Sequence, residues 1–306
     1  MLSHFSSFRL ILVFVLSLWA PWSSAQTLAL TFDDGFNPTT QPRATQWNAQ
    51  MLAALHEHKI QSALFPSLAR MGGVEGLELV AAWAQAGHLV GNHTASHRSL
   101  ADPKVSLEWF ISDVQAADAM VRDLPSFVPM LRFPYLKEGD TLTKRDGLRA
   151  WMARNGYKSA PVSIDASDWY YNLVYAAHLK AGDADKAERV KQRYIRHLLD
   201  RAAYYDGLAR EILGRSPAHV MLLHTNQINA EALPEVVSAL TAHGWTIISA
   251  NTAFQDPLYA QAPDTLPAGE SIIWAHAKAH NLPGLRYPAE DSVYEEPLLR
   301  DAGLVP

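Results

Sequence analysis

Short apolar runs alternate with stretches of helical periodicity through most of this chain, and that alternation restricts the fold more than any other feature. The runs are Leu28–Phe32, Ser62–Pro66, His88–Gly91, Met130–Phe133, Lys158–Ile164, His219–His224 and Trp245–Ile248. Between the first two, Trp47, Met51, Leu52 and Leu55 recur at the spacing of one helix face, which predicts a helix to about His58. Similar patterns predict helices over 75–86, 105–124, 143–155 and 230–243. Strands that alternate with helices of this length form parallel β-α units. Seven such strands approach a closed ring, so the expected fold class is α/β, a distorted (β/α) barrel. At 306 residues the chain is long for one domain, but barrels of this class reach that size.

Two stretches break the rhythm. Residues 170–217 are rich in alanine and mixed charge, and Val190, Tyr194, Leu198 and Leu199 share one face, which predicts a helical insertion packed on the barrel. Residues 251–306 are rich in proline and acidic side chains, with scattered aromatics Trp274, Tyr287 and Tyr294 and no clear strand. This C-terminal extension is expected to wrap the barrel or shape a groove, leaving 26–250 as the barrel itself. The aromatics Tyr170, Tyr171 and Trp274 fit either core packing or platforms for a sugar ring, core packing being the default.

At the other end, Arg9 precedes an apolar run from Leu10 to Leu18, and the small residues Ser23-Ser-Ala25 follow. This is the layout of a secretory signal over residues 1–25, cleaved after Ala25. The run falls short of the roughly 20 residues of a membrane span, so no span is expected after cleavage. An exported protein, periplasmic or secreted, is the simplest reading. The chain has no cysteine, which excludes disulfides and thiolate chemistry. A net charge of −5 without basic runs gives no footprint for nucleic acid.

Polar residues gather where the expected strands end. Asp33 and Asp34 close the first, followed by Gly35; His93 and His97 follow the third; Arg132 ends the fourth; Asp165 and Asp168 follow the fifth; His224 ends the sixth. In parallel barrels these ends meet at one face, where active sites are built. Each feature also has a plain structural reading. Two aspartates commonly serve a turn or cap a helix. Arg132 in Arg132-Phe-Pro-Tyr135 suits a structural ion pair as well as a carboxylate clamp. Asp168 of Asp165-Ala-Ser-Asp168-Trp169 suits a helix N-cap, and His224 a hydrogen-bonded core position. His93 and His97, four apart, would face the same way on a helical turn and could share a metal; with one carboxylate they would leave coordination positions open.

Taken together, Thr31-Phe-Asp-Asp-Gly35, His93-Thr-Ala-Ser-His97, Arg132-Phe-Pro-Tyr135, Asp165-Ala-Ser-Asp-Trp169 and Leu222-Leu-His224 resemble, in order, the five motifs of the polysaccharide deacetylases of carbohydrate esterase family 4, the NodB-homology domain. The resemblance implies a divalent metal, most often zinc with cobalt or other ions possible, held by Asp34, His93 and His97. It also implies Asp33 as general base, His224 as general acid tuned by Asp168, Arg132 positioning Asp33, and the Tyr135 backbone N–H at the oxyanion, with Trp169 beside the substrate. The implied reaction removes N-acetyl groups from an N-acetylglucosamine glycan, either peptidoglycan or chitin-like. A xylan O-acetyl esterase and a non-catalytic glycan-binding barrel are the alternatives. The chain departs from the family pattern at Phe36-Asn37, where proline is frequent, and at Leu136, where glycine is.

Overall fold

The computed structural model describes residues 26–305, so the secretory signal expected over 1–25 lies outside the described residues. Nine strands occur there: β1 Thr27–Asp34, β2 Ala63–Pro66, β3 Leu89–Asn92, β4 Phe127–Leu131, β5 Lys137–Gly139, β6 Lys158–Ser159, β7 Ala218–His224, β8 Thr246–Ile247 and β9 Ala268–Gly269. Seven form one parallel sheet in the order β6-β4-β3-β2-β1-β7, with β8 beside the start of β1. The segment after β6 curls this sheet round on itself. Ala160 N–H donates to the Leu131 carbonyl on one side, and Ile164 bridges Met221 in parallel on the other. A distorted barrel with seven parallel strands results, as expected.

The expected strand Lys158–Ile164 keeps only two regular residues. Pro161 has no N–H to give a ladder, so the chain leaves β4 there and reaches β7 three residues later. The tail carries a correction, because residues 251–306 do contain a strand. β9 pairs antiparallel with β5, and neither shows in the sequence, since two or three residues cannot display an alternation. Their approach is close enough to exclude a side chain: a Cβ on Gly269 would stand 1.9 Å from the Leu136 carbonyl oxygen.

On β1 the sequence alternation becomes two buried faces. Leu28, Leu30 and Phe32 are fully buried, and the Phe32 ring lies 5.4 Å from that of Trp83 under the helix Val74–Gln85. Thr31 and Asp33 point the other way, where both meet Arg132. Helices covering a parallel sheet on its outer face explain why these strands read as apolar throughout.

The insertion is two helices, Asp168–Lys180 and Ala184–Leu213. The longer starts at Asp183, whose carboxylate accepts from Lys186 N–H, and stops at Gly214 in the left-handed region. It buries Val190, Tyr194, Leu198, Ala202, Tyr205 and Ala209 along one stripe, each large side chain contributing roughly 1.5–3 kcal/mol. Tyr170, Tyr171 and Trp274 are buried too, as the core reading expects. No described helix is long and apolar enough to cross a membrane.

Candidate active site

β1 ends in a turn that brings both carboxylates to one place. Asp33 follows the strand alternation inward and its side chain is 2% exposed. Asp34 then adopts φ +85 and Gly35 φ +89, which swings the second carboxylate over the first. The Gly35 N–H donates to Thr225 Oγ1 at 2.8 Å, tying this turn to the end of β7.

His93 and His97 do not sit on a helical turn, contrary to expectation. They lie in a loop after β3 with Thr94 at φ +67 and His97 at φ +56, pinned by Thr94 N–H to Asn92 Oδ1 and by Ser96 to Asp113. The loop still brings the rings to 4.9 Å. Asp34 Oδ1 stands 3.3 Å from His97 Nε2 and 3.9 Å from His93 Nε2, and it is buried with no hydrogen-bond partner. His93 Nδ1 lies 2.7 Å from the Arg132 carbonyl, which fixes the proton on Nδ1 and leaves Nε2 a free lone pair.

The electrostatics agree with that geometry. Burial holds His93 down to about 4 and His97 down to about 3, so both imidazoles are neutral. Burial works against ionised Asp34, but the positive charges around it, His224 foremost and Arg70, keep its carboxyl below the usual range. One carboxylate with an unsatisfied oxygen and two neutral imidazoles, all within 4.8 Å, fit a divalent metal of the zinc or cobalt kind and leave coordination positions open.

Two polar pairs flank this cluster. Arg132 is fully buried over the Phe65 ring at 4.5 Å; it donates to Asp33 Oδ1 at 3.2 Å, Thr31 Oγ1 at 3.1 Å and the Ala160 carbonyl at 2.6 Å. Burial lifts the Asp33 carboxyl to about 6 against the pull of that guanidinium. On β7, whose His224 is in register with Asp33, His224 Nδ1 donates to Asp168 Oδ1 at 2.7 Å. Burial disfavours the imidazolium, yet Asp168 prevails and pushes His224 up to about 10.

Asp168 is not the helix cap. Ser167 is, and Asp168, as first helical residue, turns its carboxylate to His224. Its Oδ2 accepts from His224 N–H, Asn226 Nδ2 and Asn229 Nδ2 at 2.8–2.9 Å. The two asparagines carried no sequence signal beyond a helix start, Asn226 being the N-cap of Gln227–Ala242. Asp165 does not reach His224; burial and Glu290 push it up to about 8, and its Oδ1 accepts from Ala166 N–H. Tyr135 and Trp169 are exposed, the Tyr135 ring edge-on to His97 at 4.8 Å.

Both departures from the family pattern have local causes. Phe36 is buried, 6.0 Å from the Trp47 ring, and Asn37 Oδ1 accepts from Thr39 and Thr40 N–H groups. They build the turn from beneath. Leu136 stands at φ +55, a left-handed position that explains why glycine is common there, and its carbonyl accepts from Glu270 N–H of the tail.

Residues 23–151 match the family model for polysaccharide deacetylase. The peptidoglycan-N-acetylglucosamine deacetylase of Bacillus cereus is 23% identical over 242 residues, spanning 77% of this chain and 70% of that protein. Among solved structures, a CE4 family pseudoenzyme from Bacillus anthracis, in a mutant with restored enzymatic activity, superposes with a TM-score of 0.53 at 17% identity, covering 76% of this chain and 68% of that one. A peptidoglycan N-acetylglucosamine deacetylase superposes at 0.50 with 20% identity, over 76% and 89%. β1 to β4 and the Asp33, Asp34, His93, His97 and Arg132 positions all lie inside the segment that matches the polysaccharide deacetylase model.

Proposed function

We propose that this protein is an exported, metal-dependent deacetylase that removes N-acetyl groups from an N-acetylglucosamine-containing glycan. One juxtaposition carries the reading: a metal-competent Asp34, His93 and His97 set flanked by an Arg132-held carboxylate and an Asp168-held imidazole. A metal bound there would polarise the acetyl carbonyl and acidify water. Asp33 takes the proton of the attacking water at its carboxylate. His224, whose Nδ1 proton is engaged by Asp168, delivers a proton from Nε2 to the departing nitrogen as its bond to carbon breaks. Arg132 orients Asp33, the Tyr135 N–H faces the oxyanion, and the exposed Tyr135 and Trp169 rings offer stacking surfaces for a neutral sugar.

The named Bacillus relative supports peptidoglycan as the glycan, and family members that are pseudoenzymes make the reaction itself the point to test. A non-catalytic barrel has no use for a base and an acid at matched positions. Acetate release from chitooligosaccharides, peptidoglycan and acetylxylan, with and without chelator, is the experiment. Release from the N-acetylated glycans, abolished by chelator and restored by zinc or cobalt, is expected. Release from acetylxylan alone would make the protein an O-acetyl esterase, and no release from any glycan would leave only binding. In the same assay His93→Ala is expected to lose both metal and turnover, with bound metal read by elemental analysis.

A further inference from the structure

A second group of histidine and carboxylates meets at His197, Glu290 and Glu295, joining the long helix of the insertion to the C-terminal tail. Its bonding pattern is not that of a metal site. Glu290 is held by Arg201 and Arg286 at 3.1 Å each, and two guanidiniums repel a cation. Glu295 Oε2 accepts from His197 Nδ1 at 3.2 Å and from the Tyr171 hydroxyl at 3.0 Å. The other ring nitrogen, Nε2, accepts from the backbone N–H of Ser167 at 3.2 Å. Both ring nitrogens of His197 are thus used, Nδ1 on Glu295 and Nε2 on the Ser167 N–H.

Ser167 caps the helix that presents Asp168, yet its own hydroxyl is buried, makes no cap bond and has no partner. The bond that Ser167 N–H gives to His197 holds this backbone where the cap side chain makes no bond of its own. The tail fastens the same segment further back, Ser271 Oγ donating to the Ser163 carbonyl and Ile272 N–H to the Val162 carbonyl, both at 2.8 Å. One residue beyond Ser167, Asp168 sets the orientation of His224.

We infer that His197, oriented by Glu295 of the C-terminal tail, is a positioning residue that holds Ser167 and through it the Asp168–His224 pair. The inference rests on the reading of His224 as the proton donor. It makes the tail a working part of the site: a hydrogen-bonded line runs from Glu295 through His197 and the Ser167 backbone to the carboxylate that aims His224.

Two variants at His197 separate positioning from support. His197→Phe keeps a planar ring and loses both bonds, whereas in His197→Gln the amide oxygen can accept from Ser167 N–H and the amide nitrogen donate to Glu295. With the metal-loaded protein, His197→Phe is expected to lower kcat by about 10²-fold, the scale of a slight misplacement of a catalytic group, leaving KM and metal content unchanged. His197→Gln is expected to recover most of that loss. Proton NMR gives a readout independent of turnover: the low-field Nδ1–H resonance of His224, assigned by its absence in His224→Gln, is expected to shift in the Phe variant and return in the Gln variant. A fall in melting temperature with kcat and the resonance both unchanged would overturn the inference. If His197→Phe does not fold, Glu295→Gln is expected to shift the resonance, and an unmoved resonance there overturns it equally. If the wild-type protein releases no acetate, the functional reading fails while the resonance still decides the role of His197.

Discussion

Asp33→Asn is expected to cut acetate release by about 10²–10⁴-fold, the contribution of a positioned general base, while bound metal stays at the wild-type level. The amide has the shape of the carboxylate, and its oxygen can still accept from Arg132 at the place where Asp33 Oδ1 now does. What it cannot do is take up a proton. Asp34, His93 and His97, whose ligand atoms converge without Asp33, are left intact. Rates on N-acetylated oligosaccharide and elemental analysis of the same sample check the expectation together. Should Asp33→Asn lose metal to the same degree as His93→Ala, Asp33 would be a ligand and the division of labour between the adjacent aspartates would be wrong.

Arg132→Met is expected to destabilise the fold by about 3–5 kcal/mol at neutral pH, because removing one member of a buried ion pair leaves the other charged and unpaired. The methionine fills much of the space over Phe65 but satisfies neither Thr31 Oγ1 nor the Ala160 carbonyl, which receive Arg132 donors now. The pH dependence follows from Asp33. Its carboxyl is already raised from 3.8 to about 6 by burial against the pull of Arg132, and removing Arg132 raises it further. A carboxyl that holds its proton more tightly folded than unfolded gains stability as pH falls. The deficit of the variant is thus expected to be greatest at alkaline pH, to shrink as pH falls towards 6, and to level off below that, where Asp33 is protonated in both folded proteins. Urea unfolding at several pH values, with chelator present throughout, measures it, and a deficit independent of pH would show that Asp33 is not the group left stranded.

The barrel was legible because each of its seven strands is an apolar run and each covering helix repeats at its own period. β5 and β9 were not, since their pairing depends on the bare backbone of Gly269 and on no side-chain pattern. For the site, the sequence shows which residues stand at strand ends, and the structure brings Asp33, Asp34, His93, His97, Arg132, Asp168 and His224 to one face. It does not show what holds them. His93 and His97 converge through two left-handed residues rather than a helical turn. Asn226 and Asn229 support Asp168 from about 60 residues away, at 58 and 61 positions, a separation over which no periodicity carries information. Phe36, in the sequence only a departure from the family pattern, is core beneath the turn.

The pairing of Asp33 with His224 across β1 and β7 has a consequence for how such a protein can fail. Neighbouring strands are held about 4.8 Å apart by their backbone hydrogen bonds, so the gap between the proposed proton acceptor and donor is set by the ladder itself and not by either side chain. A one-residue slip of β7 would turn His224 to the opposite side of the sheet and place Leu223 or Thr225 opposite Asp33. A barrel that closed in that register would keep most of its core and have no chemistry. Fidelity of strand alignment during folding is in this sense a condition of the proposed catalysis, and the bonds that Thr225 Oγ1 accepts from Gly35 N–H and donates to the Asp33 carbonyl are the stitches that secure it.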